Sequence, residues 1–219
     1  MPGIAETVRS GVPVARAKVV CIFVHGRNQT PEDMQAAVLG QLRCADAAYV
    51  APCAHGASWY AALAVDPLSD QTRRELEQAL RDLGALVAEL RAEAPGRPIL
   101  LAGFSQGACL SLEHAFAGGA PVEAVASLTG CRVGRPGCTR PAALTAGMPV
   151  YLTGGDADPW IPVHAYAEAA NELALGGARL RSDIFPGRAH EISLPEIAML
   201  DTMLEDLAAG RAPQMNAAR

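Results

Sequence analysis

The chain has no cluster of Lys or Arg, and its formal net charge is −5. Without a basic stripe nothing can track a phosphate backbone, which excludes nucleic acid as a partner. No stretch approaches the ~18 consecutive apolar residues of a membrane-spanning helix, and the opening MPGIAETVRSGVPVARAK lacks the apolar core of an export signal. A cytoplasmic protein that does not insert into membranes is expected. Internal repeats, low-complexity tracts and any linker that would divide the chain are missing as well. Charged residues make up only 19% while half the chain is apolar, the balance of a folded globular protein rather than a disordered one. With 219 residues there is room for one sizeable core but hardly for two, so residues 1–219 read as a single domain.

Six cysteines form an even count, but without an export signal a disulfide framework is not the expectation. Cys21 lies in an apolar strand pattern and Cys109 in a helical one, both as small core residues. Cys131 and Cys138, in TGCRVGRPGCTRPA, are the one suggestive pair, yet their spacing matches no zinc pattern.

What is present is an alternation of short, β-branched apolar runs with longer segments of helical period. That alternation predicts an α/β fold with a mostly parallel sheet and helices on both faces. Strands are predicted at 18–24, 47–51, 98–102, 124–128, 150–153 and 179–185, and helices at 31–43, 70–93, 106–117, 162–175 and 194–208. Thr30-Pro31-Glu32-Asp33 supplies a cap, a Pro at the first helical position and acidic residues in the first turn. Residues 1–17 and the tail from about 210 to 219 read as peripheral, and 130–147 is the longest irregular segment inside the fold.

The chemistry centres on Gly103-Phe104-Ser105-Gln106-Gly107, between a predicted buried strand and a predicted helix. A nucleophile on so sharp a turn needs small flanking residues that let strand and helix approach, which Gly103 and Gly107 supply. The Gln106 main-chain N–H then lies at a helix N-terminus, suited to a developing oxyanion, so Gln106 enters for its backbone rather than its side chain. A second donor is expected from Arg27 in Val24-His25-Gly26-Arg27-Asn28, with His25 supporting that loop. Ser105 needs a base, and the base an acid to orient it. Of five His residues, His190 in PGRAHEI, between the last strand and the last helix, is the best placed. The acid is Asp158 or Asp156 in GDADP; Pro159 restrains Asp158 and favours it, leaving Asp156 to organise the turn. Ser105, Asp158 and His190 all fall at C-terminal strand ends, in the order Ser, Asp, His.

With HGRN at 25–28, GFSQG at 103–107, GDADPWIP at 155–162 and PGRAHEI at 186–192, the chain resembles the phospholipase/carboxylesterase family of α/β-hydrolases, which includes acyl-protein thioesterases. The resemblance spans nearly the whole chain. It implies a single-domain α/β-hydrolase fold without a large cap domain, a Ser105–Asp158–His190 triad, and an oxyanion hole from the Arg27 and Gln106 amides. It requires no metal or cofactor. Trp160-Ile161 departs from the small aliphatic pair common in the family and implies a bulkier wall and a smaller substrate. Trp59 and Tyr60 resemble a "WY" segment over the site in some relatives, which would make them, with Trp160, substrate-binding; the plainer alternative is core filling. The expected activity is hydrolysis of short to medium acyl esters of small molecules. Thioester or lysophospholipid hydrolysis by the same triad is the alternative, and a non-catalytic binding protein is the other class. A cysteine-based lactone hydrolase is disfavoured because the turn carries Ser. An apolar patch around Trp59 or Trp160 could also pair two copies as a homodimer.

Overall fold

Val19–Val24 (β2) and Ile99–Phe104 (β4) are buried at every position. Strands hidden on both faces belong in the middle of a parallel sheet covered by helices. The computed structural model, which describes residues 3–56 and 58–216, places them there. In chain order the other elements are β1 (Ile4–Gly11), α1 (Pro31–Ala37), β3 (Ala47–Ala54), α2 (Asp70–Glu93), α3 (Gln106–Phe116), β5 (Ala124–Leu128), β6 (Pro149–Gly155), α4 (Val163–Leu175), β7 (Arg179–Phe185) and α5 (Leu194–Ala208). The sheet order is β1-β3-β2-β4-β5-β6-β7, parallel throughout except for β1, which runs antiparallel to β3. This is the single-domain α/β-hydrolase architecture expected from the sequence.

The two-residue period of the strands divides the core. Val20, Ile22, Val24 and Leu101 pack toward α2, α3 and α4, whereas Cys21, Phe23, Leu100 and Ala102 pack toward α1 and α5. Because β2, β4, β6 and β7 are parallel, their C-terminal ends share one edge of the sheet, and the loops leaving them meet there.

Three expectations change. Residues 4–11 are not peripheral: they form β1, whose register runs from Ile4 opposite Ala54 to Gly11 opposite Ala48. The tail is also tied in, with Met215 buried and the Pro213, Met215 and Asn216 carbonyls accepting from Arg179 and Arg181. Residues 1, 2 and 217–219 lie outside the described residues. The predicted helix 31–43 stops at Ala37, because Val38 leaves the helical region and starts a single tighter turn, Leu39–Gln41, that lets Val38 and Leu39 both bury.

The long segment 130–147 is pinned rather than poised as a cover. Arg132, 1% exposed, donates through Nε to Glu113 at 2.8 Å and through Nη1 to Glu172, and Arg140 reaches Glu168 and Glu172 at 2.7 and 2.5 Å. All six cysteines are free thiols. The buried neighbour of Cys131 is Cys109, with sulfurs 4.0 Å apart, and not Cys138.

The helix α3 approaches β2 so closely that a Cβ on Gly107 would stand 2.1 Å from the Val24 carbonyl oxygen, and one on Gly103 2.5 Å from the Gly107 carbonyl carbon. Backbone on both sides leaves no room to yield. Gly107→Ala is therefore expected to lower stability by about 3 kcal/mol or more, whereas Gly84→Ala, in open space within α2, should raise it by about 0.5–1 kcal/mol. Urea unfolding of the two variants checks this; equal effects would contradict it.

Candidate active site

Ser105 links β4 to α3 with φ 55° and ψ −118°, a backbone conformation that costs about 1–3 kcal/mol for a residue with a Cβ. Its N–H donates to the Leu128 carbonyl at 3.1 Å, and its own carbonyl accepts from Cys109 in the first turn of α3. The turn is thus held from the neighbouring strand on one side and the helix on the other. Its side chain stands out from the sheet edge.

There the His190 Nε2 lies 2.8 Å from the Ser105 hydroxyl oxygen, and His190 Nδ1 lies 2.7 Å from Asp158 Oδ2. The second Asp158 oxygen, Oδ1, accepts from the Trp160 and Ile161 amides at 2.7 and 2.9 Å. Those two amides and the imidazole fix a carboxylate whose side chain is fully buried. Asp156 is exposed and does something different: its Oδ1 accepts from the Gly187 amide at 2.5 Å, stapling the loop after β6 to the loop after β7. The Ala157 amide donates to the Arg188 carbonyl at 3.3 Å in the same seam. Gly155 makes the seam possible, since a Cβ there would lie 2.2 Å from the Arg188 oxygen.

The loop after β2 comes against Ser105, with a Gly26 Cβ position only 3.1 Å from the Ser105 Cβ. Among the described residues neither the Arg27 nor the Gln106 main-chain N–H has a hydrogen-bond acceptor. His25 braces this loop: Nδ1 donates to the Gly26 carbonyl at 2.7 Å and Nε2 accepts from the Ala54 amide at 3.0 Å. That pattern needs a neutral ring. Burial is the main cause pushing the His25 pKa down, against opposing pulls from the Gly26 carbonyl, Asp33 and Glu32. His114 is also buried, with Nε2 on the Ala120 carbonyl and its pKa lowered by burial, while His164 is exposed.

The side chains of Gln106 and Arg27 both hold the segment 59–62, a role that the backbone reading of Gln106 missed. Gln106 Oε1 accepts from the Trp59 amide at 3.0 Å and its Nε2 donates to the Tyr60 carbonyl at 2.7 Å. Arg27 Nη2 donates to the Tyr60 and Ala62 carbonyls. A buried amide side chain next to a nucleophile gives no periodic signal in sequence. Its only trace is the choice of Gln where the turn itself needs no particular residue.

Beside Ser105 and His190 opens a cavity of about 470 Å³, walled by Arg27, Tyr60, Leu63, Val65, Trp160 and Ile161 among others. Trp160, 60% exposed, and Tyr60 both line it. Trp59 does not. It is 1% exposed, its indole N–H donates to the His25 carbonyl at 2.8 Å, and its ring lies 4.9 Å from the His25 ring. The core-filling alternative applies to Trp59, which supports the loop after β2 from behind.

Residues 6–207 match the family model described as Phospholipase/Carboxylesterase. The chain is similar to a phospholipase/carboxylesterase from Dyadobacter fermentans, at 31% identity over 93% of this chain and 98% of that one, with a TM-score of 0.81. It shares its fold with esterase PE8 (24% identity, 94% and 99% covered, TM-score 0.72) and with Zea mays acyl-protein thioesterase 2 (18%, 93% and 99%, 0.71).

The neutral His25 brace makes stability depend on pH. A folded pKa below the unfolded value gives stability that is fully present above about pH 6.5 and lost as pH falls toward the lowered folded value. The urea midpoint is expected to drop between pH 7.5 and about 5.5, with His114 contributing in the same direction. In His25→Gln the drop should be smaller; an unchanged slope would show that His25 takes no part.

Proposed function

The chain belongs to the phospholipase/carboxylesterase family, and on that premise we propose that it is a serine carboxylesterase hydrolysing short to medium acyl esters of small molecules. The observation that carries the reading is the unbroken chain from Ser105 Oγ through His190 to Asp158, at 2.8 and 2.7 Å. In it His190 Nδ1–H donates to Asp158, which leaves Nε2 unprotonated to accept the Ser105 proton.

As Ser105 Oγ attacks the ester carbonyl carbon, its proton passes to His190 Nε2. Asp158, fixed by the Trp160 and Ile161 amides, stabilises the imidazolium and holds the ring in line. The carbonyl oxygen becomes an oxyanion and takes the Arg27 and Gln106 amides, which spend no donor elsewhere. His190 then returns the proton to the departing alkoxide, leaving an acyl group on Ser105. Water enters, gives its proton to His190, attacks the acyl carbon, and Ser105 is released with its proton. No step calls on a group beyond these side chains and amides.

The substrate reading follows from the cavity. Its walls are largely apolar, and bulky Trp160 stands where the chain turns into α4. A volume of about 470 Å³ suits a small ester. Only α3, β5, β6 and the loops joining them lie between Ser105 and Asp158, which leaves no room there for a large cap domain to extend the cavity for a long lipid chain. No helix among the described residues is long and apolar enough to cross a membrane, which fits the cytoplasmic placement of this reading. Thioester or lysophospholipid hydrolysis would use the same triad and is separated by the assay below. A binding protein without catalysis would have no use for a base linked to both a hydroxyl and a buried acid.

On nitrophenyl esters, Ser105→Ala and Asp158→Asn are each expected to lower kcat by about a thousandfold or more, and Asp156→Asn by no more than about tenfold. Equal losses at the two aspartates would reassign the acid. Across an acyl series kcat/KM is expected to be highest between acetyl and hexanoyl and to fall for palmitoyl, and Trp160→Ala should move the optimum to longer chains. A preference for palmitoyl esters, or for thioesters over matched oxygen esters, would overturn the substrate reading.

A further inference from the structure

Beneath the loop that carries His190 lies a buried ion pair that the proposed chemistry does not use. Arg188 is 7% exposed and Glu196, in the first turn of α5, is 0% exposed. Arg188 Nη1 donates to Glu196 Oε2, and Nη2 donates to the Thr129 hydroxyl at 3.0 Å. Glu196 Oε2 also accepts from the Ser193 amide and hydroxyl at 2.7 and 2.6 Å, while Oε1 accepts from the Thr153 hydroxyl. The proton directions close without conflict. Thr153 Oγ1 gives its proton to Glu196 and accepts from the Thr129 amide at 2.9 Å; Thr129 Oγ1 accepts from Arg188 and donates to the Glu191 carbonyl at 3.4 Å.

Such a cluster is not explained by stability. Desolvating two charges offsets most of their attraction, and an apolar pair of similar volume often serves as well. Here Arg188 Nε is also buried without a partner, and Thr129, a β-branched residue, is held at φ 57°. The placement supplies another reason. The groups tied down are Arg188, two residues before His190, and the Glu191 carbonyl and Ser193, one and three residues after it. Their anchors are Thr129 just beyond β5, Thr153 near the end of β6, and α5. The guanidinium also lies over the Phe185 ring at 4.5 Å, where β7 ends. Both limbs of the loop are thus moored to the sheet edge with His190 at its apex.

We infer that Arg188 and Glu196 are positioning residues for His190, their buried pair holding the imidazole in line between Asp158 and Ser105. The inference rests on the proposed role of His190 as base. Arg188→Met alone strands a buried carboxylate and is expected to destabilise the fold, so the informative protein is Arg188→Met/Glu196→Gln, which removes both charges. It is expected to melt close to the wild type yet to hydrolyse nitrophenyl butyrate with kcat about 10- to 100-fold lower and KM within about twofold.

Proton NMR gives a second readout that does not depend on turnover: the far-downfield proton between His190 Nδ1 and Asp158, assigned by its loss in Asp158→Asn. It should broaden or vanish in the double variant. Thr129→Val, which removes one bridging hydroxyl and keeps the side-chain shape, should give the same signature with smaller amplitude, and it decides the matter if the double variant does not fold. A folded variant with wild-type kcat and an unchanged resonance would overturn the inference. If the wild type shows the resonance but hydrolyses no ester, the enzymatic reading fails while the variants' resonance still decides the positioning.

Discussion

The site depends on one close approach, the first turn of α3 against the end of β2. No side chain fits between them: Gly107 faces the Val24 and His25 carbonyls, and Gly103 faces Gly107. That contact goes with the positive φ of Ser105 and brings the loop of Arg27 onto the Ser105 side chain. It also puts the Gln106 and Arg27 side chains within reach of the same segment, Trp59 to Ala62. The Arg27 and Gln106 amides and the cavity wall are therefore one assembly. Moving the helix would disturb both.

The other half of the site is built by a different device. Asp158 and His190 come from separate loops, and the seam between those loops is made by the Gly187 amide on the Asp156 carboxylate and the Ala157 amide on the Arg188 carbonyl, with Gly155 allowing the contact. Asp156 holds the loop that carries His190 without touching the imidazole. Two carboxylates two residues apart thus divide the work by exposure. The buried one holds the His190 imidazole, and the exposed one holds the loops.

Much of this was legible in the sequence because backbone demands leave marks in residue choice. Gly103, Gly107 and Pro159, and the order Ser105, Asp158, His190 at strand ends, pointed to the edge where the structure places them. Apolar runs located six of the seven strands. The seventh, β1, was missed because IAETVRSG on a sheet edge mixes half-buried with exposed residues and contains no apolar run. Side-chain partners were harder to read. Gln106, Trp59 and the Cys109–Cys131 contact depend on which surfaces meet in three dimensions, and local pattern does not carry that. Glu196 had a local signal, since Ser193-Leu194-Pro195-Glu196 is a helix-start pattern, but nothing in it announces that the carboxylate also reaches Arg188 and Thr153.

In the proposed function, the strained turn and the His190–Asp158 pair make Ser105 a nucleophile. The most direct test is to treat the folded protein with a fluorophosphonate and map the modified residue by peptide mass spectrometry. A single adduct on Ser105 is expected, formed rapidly in the wild type and at a greatly reduced rate in His190→Gln. No adduct, an adduct elsewhere, or equal labelling rates in the two proteins would contradict the claim.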